Sequence, residues 1–243
     1  MIRLITCSII FVALVFIAGC ASYLIYPQIV SPQTVDIPLI KEMGDLRIDV
    51  GGSFTGNNAL RSSEAFDTEE WSVLPSVHGT ISYGMSNRFA LQMHANISSL
   101  STYYFQTALG MYKGWEKKTV LELYGGYGYG SSIISNWAKN NTKYHLPFAQ
   151  LNIGRTGLNF LNLDYGMGIK TGYIYAHIMN DAIAYSFLRD RSLLVEPCVF
   201  IRFGGRKVKF NMKASYLWTN CDVADDYYIF TPFQLSVGAN FRF

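Results

Sequence analysis

The sequence predicts an all-β chain folded as a transmembrane antiparallel up-and-down β-barrel of about ten strands, on three observations. Apolar and polar residues alternate with period two in segment after segment, and no useful length carries the 3.6-residue period of an amphipathic helix. Connections after segments two, four, six and eight are tight, while most of those after odd segments are longer and polar, as in barrels with short periplasmic turns and longer outer loops. Tyr and Trp gather near segment ends, at Trp71, Tyr103, Tyr104, Trp115, Trp137, Trp218, Tyr227 and Tyr228, where an amphipathic ring suits a lipid interface. Composition agrees: of 243 residues 50% are hydrophobic and only 15% charged, against roughly 25% charged in ordinary soluble domains. The hydrophobicity and abundant Tyr and Phe exclude disorder. A net charge of +3, from 20 Lys and Arg less 17 Asp and Glu, supplies no basic stripe for nucleic acid.

Residues 1–19 read as a lipoprotein signal peptide. Arg3 gives a positive start, Leu4 to Ile17 is an apolar core too short to span a bilayer by the roughly 20-residue rule, and Ile17-Ala18-Gly19-Cys20 closes it with small residues. That tetrapeptide resembles the bacterial lipobox, which implies that Cys20 is acylated, with palmitate or a similar chain, and becomes the first residue of the mature protein. Ala21-Ser22-Tyr23-Leu24 lacks the acidic residues of surface-export signals, so the anchor is expected in the periplasmic leaflet of the outer membrane. Residues 20–43 follow as a lipidated periplasmic tether, because Pro27, Pro32 and Pro38 each lack a backbone donor and suit neither a helix nor a central strand. Of four cysteines, Cys7 leaves with the signal and Cys20 carries lipid. Cys198 and Cys221 lack metal-ligand spacing and are expected to stay unbridged.

The barrel occupies 44–243, in segments 44–55, 71–85, 88–99, 103–115, 119–134, 144–156, 161–178, 192–203, 206–219 and 228–243. The last is the plainest: Phe233, Leu235, Val237, Ala239, Phe241 and Phe243 share one face, and Gln234, Ser236, Gly238, Asn240 and Arg242 the other. Segment nine opposes Val208, Phe210, Met212, Ala214 and Tyr216 to Lys207, Lys209, Asn211, Lys213 and Ser215. Segment seven sets Leu163, Tyr165, Met167 and Ile169 against Asp164, Gly166, Gly168 and Lys170. A soluble sandwich also alternates, but it hides its apolar face in a side-chain core and turns its charges to water. In lipid the sheet must close, since an open edge finds no partner there. An even number of strands puts both ends of the barrel on the periplasmic side. Between segments eight and nine, Gly204-Gly205 suits a two-residue turn with positive φ at both glycines. That register pairs Phe203 with Arg206, Cys198 with Asn211 and, in the lumen, Glu196 with Lys213.

The terminal Phe243 after alternating apolar residues resembles the signature that the barrel-assembly machinery recognises. Val35-Asp36-Ile37-Pro38-Leu39-Ile40-Lys41-Glu42 leading into Gly44-Asp45-Leu46-Arg47, Tyr83-Gly84-Met85-Ser86-Asn87-Arg88-Phe89-Ala90-Leu91, Leu123-Tyr124-Gly125-Gly126-Tyr127-Gly128-Tyr129-Gly130 and Val195-Glu196-Pro197 are similar to segments of uncharacterised outer-membrane barrel lipoproteins common in Bacteroidetes. The resemblance covers most of the mature chain. It implies envelope, barrel and lipoprotein, and it carries no catalytic residues.

Facing positions assign Arg47, Asp49, Glu122, Asp164, Lys170, Glu196, Arg202, Lys209, Lys213 and Arg242 to the lumen, with Gln92, Gln150 and Asn152 beside them. Mixed signs suit mutual neutralisation, and a ten-stranded barrel is little wider than an eight-stranded one whose side chains fill it. A structural polar network is the expectation. Inward glycines at Gly126, Gly128, Gly130, Gly154, Gly166, Gly168 and Gly172 leave little volume on segments five to seven. They suit a groove, a space reached by Lys209 and Lys213 from the opposite wall, or strong strand curvature.

No catalytic constellation is legible. His78 and His94 face the lumen, His177 faces outward, and no spacing ties His145 to Asp181 or Asp190 as a triad requires. Asp222, Asp225 and Asp226 lack the glycine and terminal glutamate of a calcium loop. No enzymatic activity, cofactor or metal is therefore expected. The expected role is a non-enzymatic outer-membrane barrel lipoprotein, a structural or accessory subunit of an envelope assembly. Its expected partners are outer-membrane lipid, the barrel-assembly machinery during insertion and a larger outer-membrane complex. A small pore or lipophile-binding barrel is the alternative.

Overall fold

The computed structural model describes residues 35–58, 71–98, 102–115, 118–135, 140–158, 162–180, 186–219 and 233–243. Its strands are β1 (Leu46–Asn58), β2 (Trp71–Gly84), β3 (Phe89–Ser98), β4 (Thr102–Trp115), β5 (Thr119–Ser135), β6 (Asn140–Leu158), β7 (Leu163–Asn180), β8 (Ser186–Gly204), β9 (Val208–Tyr216), β10 (Trp218–Thr219) and β11 (Phe233–Arg242). Both β9 and β10 pair with β8 and are two parts of one barrel strand interrupted at Leu217, so ten strands form the wall. Each pairs antiparallel with its sequence neighbour, and β1 pairs with β11, from Arg47 opposite Arg242 to Gly56 opposite Phe233, to close the barrel.

The alternation in the sequence becomes an inside-out distribution of polarity. Leu109, Trp115 and Met167 are 61%, 62% and 58% exposed on the outer face, while Glu122, Lys170 and Arg202 are 0% exposed inside. Such a surface is unfavourable in water and favourable in lipid, where each large apolar side chain gains roughly 1.5–3 kcal/mol by leaving water. Only three or four residues join β2 to β3, β4 to β5, β6 to β7 and β8 to β9. The tight turns lie at one end, which is the periplasmic end in barrels of this kind. Exposed Trp115, Tyr83, Tyr165 and Phe203 ring that end, and exposed Tyr103, Tyr127, Tyr173 and Trp218 ring the other.

Two expectations are corrected. Residues 35–40, part of the 20–43 segment assigned from sequence to an extended tether, run inside the barrel: Val35, Asp36, Ile37, Leu39 and Ile40 are at most 1% exposed, and the chain emerges over residues 41–43. Pro38 asks for no ladder partner, and the Asp36, Ile37 and Pro38 carbonyls and the Ile40 amide find side chains of the wall. Gln92 and Gln150 donate to the Asp36 carbonyl at 3.0 and 2.7 Å, Arg202 donates to the Ile37 carbonyl at 2.6 Å, and the Ile40 amide donates to Glu122 at 2.7 Å. Cys20 and residues 21–34 lie outside the described residues.

The second correction is the register of β8 on β9. Phe203 lies opposite Phe210 and Gly204 opposite Lys209. The pair numbers sum to 413, against 409 for Phe203 with Arg206, a displacement of four positions. An even displacement leaves every side chain on its expected face, so alternation cannot detect it. Only Gly204 has positive φ in this turn, at +141°, and the Phe203 and Phe210 rings meet across the strands with centroids 5.2 Å apart. Cys198 consequently faces Ser215 and Lys213 faces Phe200, while Glu196 lies opposite Lys170 on β7. Glu196 and Lys213 are not a pair.

Candidate functional site: the lumen and its inner segment

The lumen wall differs from side to side. Strands β8, β9, β11 and β1 supply charge around Asp36. The Lys213 ammonium donates to Asp36 at 2.9 Å and to Asp49 at 3.3 Å. Arg202 stands 3.8 Å from Asp36 and 3.9 Å from Asp49. Asn211 donates to Asp49 at 2.6 Å, Asn240 donates to it at 3.4 Å, and His78 lies 3.6 Å away. Two buried carboxylates thus share one ammonium and one guanidinium, an arrangement in which each ion offsets its neighbours' loss of water.

Strands β4 to β7 supply shape. Tyr104 and Tyr144 stack with ring centroids 5.8 Å apart, over the space that Gly128 and Gly130 leave. A Cβ at Gly128 would lie 2.1 Å from the Tyr104 hydroxyl, and one at Gly130 would lie 2.1 Å from the Tyr144 ring. Further toward the tight turns, a Cβ at Gly168 would lie 3.0 Å from Ile37, and one at Gly154 would lie 2.8 Å from Leu39. The glycine-rich wall is therefore occupied by these rings and by the inner segment. Lys209 reaches this wall at the tight-turn end of β7, where its ammonium pairs with Asp164 at 2.7 Å. Leu39 takes a left-handed φ of +57°, a conformation costing roughly 1–2 kcal/mol outside glycine, and its full burial offsets that cost.

The remaining assigned residues are also placed. Glu122 accepts from Asn152 at 3.0 Å as well as from Ile40, and Lys170 donates to Gln106 at 2.6 Å while standing 3.9 Å from the centre of the Phe148 ring. Arg47 and Arg242 share Asp45, at 3.4 and 2.9 Å. Sequence reasoning missed Asp36 and Asp45 by placing them in a tether or at its border. The available signal was the apolar content of Val35-Asp36-Ile37-Pro38-Leu39-Ile40, too high for a solvated linker.

The histidines do not assemble a triad among the described residues. His78 and His94 stack at 6.1 Å, and His94 meets the Thr80 hydroxyl at 2.8 Å. His177 is exposed, and His145 bonds to Tyr127. Asp181, Cys221 and the 222–226 acidic cluster lie outside the described residues, as does the side chain of Asp190. Among the described residues, no group of three or more His, Cys, Asp or Glu is placed to hold a metal ion.

No family model matches the chain, and no curated protein does. Solved structures do resemble it. The outer-membrane protease OmpT of Escherichia coli superposes with a TM-score of 0.51 at 9% identity, covering 88% of this chain and 100% of that one. An outer-membrane channel of Pseudomonas putida F1 gives a TM-score of 0.50 at 11% identity, covering 86% and 100%. At such identities the likeness is one of fold: this chain has the architecture of an outer-membrane β-barrel.

Proposed function

We propose that this protein is a lipid-anchored outer-membrane barrel, of the Bacteroidetes kind its sequence resembles, closed by its own N-terminal segment. It serves as a non-enzymatic structural or accessory member of an envelope assembly. The carrying observation is the seating of residues 35–40 in the lumen, with Asp36 between Lys213 and Arg202. A lumen occupied by this segment disfavours the pore reading. In planar bilayers the full chain is expected to be silent, and a variant lacking residues 35–40 is expected to conduct. A stable, reproducible channel from the full chain overturns the closed-barrel reading.

Anchoring is tested separately. Fourteen residues lie between Cys20 and Val35. Fully extended they reach about 50 Å, enough to meet either membrane surface from the lumen. Mass spectrometry of the mature terminus is expected to find an acylated Cys20, and an unmodified terminus refutes the lipoprotein claim. The accessory role predicts that a defined protein set co-purifies from native membranes under mild detergent.

A further inference from the structure

At the tight-turn end the lumen opens into a cavity of about 210 Å³. Six cationic side chains line it, Lys41, Arg47, Arg206, Lys207, Lys209 and Arg242, with Asp164 as the only carboxylate in the lining among the described residues. Asp45 and Glu42 stand beside them: Asp45 bonds Arg47 at 3.4 Å and Arg242 at 2.9 Å, and Glu42 bonds Arg242 at 3.2 Å. Counting side chains, six cations less three carboxylates leaves three positive charges. Asp164 is taken by Lys209, so Lys41, Arg206 and Lys207 have no carboxylate partner among the described residues.

A second observation points into the same space. Arg47, which lines the cavity, is only 4% exposed, and its buried Nε has no hydrogen-bond partner among the described residues. A buried donor left unmatched is costly, most of all on a charged group. Crowding of like charge also registers on Lys41, whose ammonium is lowered from its usual value by burial and then by the Arg242 and Arg47 guanidiniums.

We infer that this mouth is a binding site for a phosphate-bearing anion. Arginine forks and lysine ammonium groups converging on one cavity suit a group with several acceptor oxygens and more than one negative charge. A cavity this size exceeds the roughly 30 Å³ share of a water several-fold and accommodates a phosphate group. The anion comes either from a phospholipid headgroup of the adjoining leaflet or from a soluble phosphate ester. This site is independent of the anchoring and closure proposed above.

The test uses the full chain in nanodiscs of phosphatidylcholine, titrated calorimetrically with pyrophosphate, and in discs containing phosphatidylglycerol, read by native mass spectrometry. The comparison is the triple variant Lys41→Gln, Arg206→Gln, Lys207→Gln. Arg206 and Lys207 are exposed and Lys41 partly so, and heat-modified gel mobility verifies that the barrel forms. Wild type is expected to bind about tenfold more tightly than the variant, in a salt-sensitive manner. Tighter pyrophosphate binding identifies a soluble ligand, and preferential retention of phosphatidylglycerol identifies a headgroup. Equal behaviour of wild type and variant in both arms overturns the inference.

Discussion

Along β5, β6 and β7 the lumen wall carries the glycines and aromatic rings, and it receives residues 35–40 through Ile37 and Leu39, with Gln150 and Glu122 bonding the Asp36 carbonyl and the Ile40 amide. Along β8, β9, β11 and β1 it is polar, and it receives the same residues through Asp36 and two carbonyls. One side supplies contact area and two hydrogen bonds, the other supplies the ion cluster around Asp36. Neither wall is complete alone: the glycines leave a trough, and the polar side carries two cations that share Asp49 of β1 and take a second carboxylate, Asp36, from outside the strands. Apolar packing without charge offers many equivalent seats for the segment, whereas the ion cluster around Asp36 selects one.

The largest effect is expected on the polar side. Lys213→Met leaves Asp36 and Asp49 buried with Arg202, at 3.8 and 3.9 Å, as the one Lys or Arg paired with both among the described residues. Removing one partner from a buried ionic cluster costs roughly 3–5 kcal/mol. Urea unfolding in detergent should show that loss, and Asp36→Asn combined with Lys213→Met should cost less than the two singly. Glu196→Gln combined with Lys213→Met should instead be close to additive, because Glu196 lies opposite Lys170. Strong coupling of Glu196 to Lys213, or strict additivity of Asp36 with Lys213, would break this account of the polar wall.

A smaller effect is expected on the glycine side. Gly168→Leu places atoms where Ile37 lies, 3.0 Å from the Cβ position, and where the Asn152 side-chain oxygen lies at 2.6 Å. Overpacking of this kind costs roughly 1–3 kcal/mol. The segment is expected to leave its seat, with Cys198 as reporter, since Cys198 is 3% exposed and packs in one cluster with Val35, Ile37 and Leu39. In a Cys221→Ser background, a maleimide should label Cys198 of the folded variant and spare the wild type. Gly125→Ala is the control, with nothing within 4 Å of its Cβ position. Unchanged labelling in Gly168→Leu would mean that the glycine trough does not hold the segment.

The two walls were unequally legible in the sequence. The placement of Asp49, Lys170, Arg202 and Lys213 follows from parity alone, because period two sends alternate side chains inward whatever the register. The partners of those residues do not follow from parity. A two-residue turn sets Lys213 against Glu196, whereas its partner Asp36 belongs to a segment with no periodicity to read. Gly154 and Gly168 announced missing volume in the wall, but nothing in the strand pattern could say that Ile37 and Leu39, more than 100 residues earlier, supply it. Long-range filling of a cavity is a property of closure, and local alternation carries no record of it.

The smallest effect separates the two glycines of the turn that set the register. Gly204 has a φ of +141°, and a Cβ there would approach the Val208 carbonyl oxygen to 3.0 Å. Gly205 is not among the residues with positive φ, and its Cβ would stand 3.4 Å from the same oxygen, an ordinary contact. Gly204→Ala is therefore expected to cost about 1–3 kcal/mol, the range for a side chain in a disfavoured backbone region. Gly205→Ala should fall within about 0.5 kcal/mol of wild type, as exposed substitutions away from strain do. A two-residue turn with both glycines at positive φ makes a different forecast, namely comparable costs at both positions. Urea midpoints of the two variants in the same detergent decide between them. Equal losses would restore the Phe203 to Arg206 pairing and with it the opposition of Glu196 to Lys213, whereas a loss confined to Gly204 supports the register that leaves Lys213 free to hold Asp36.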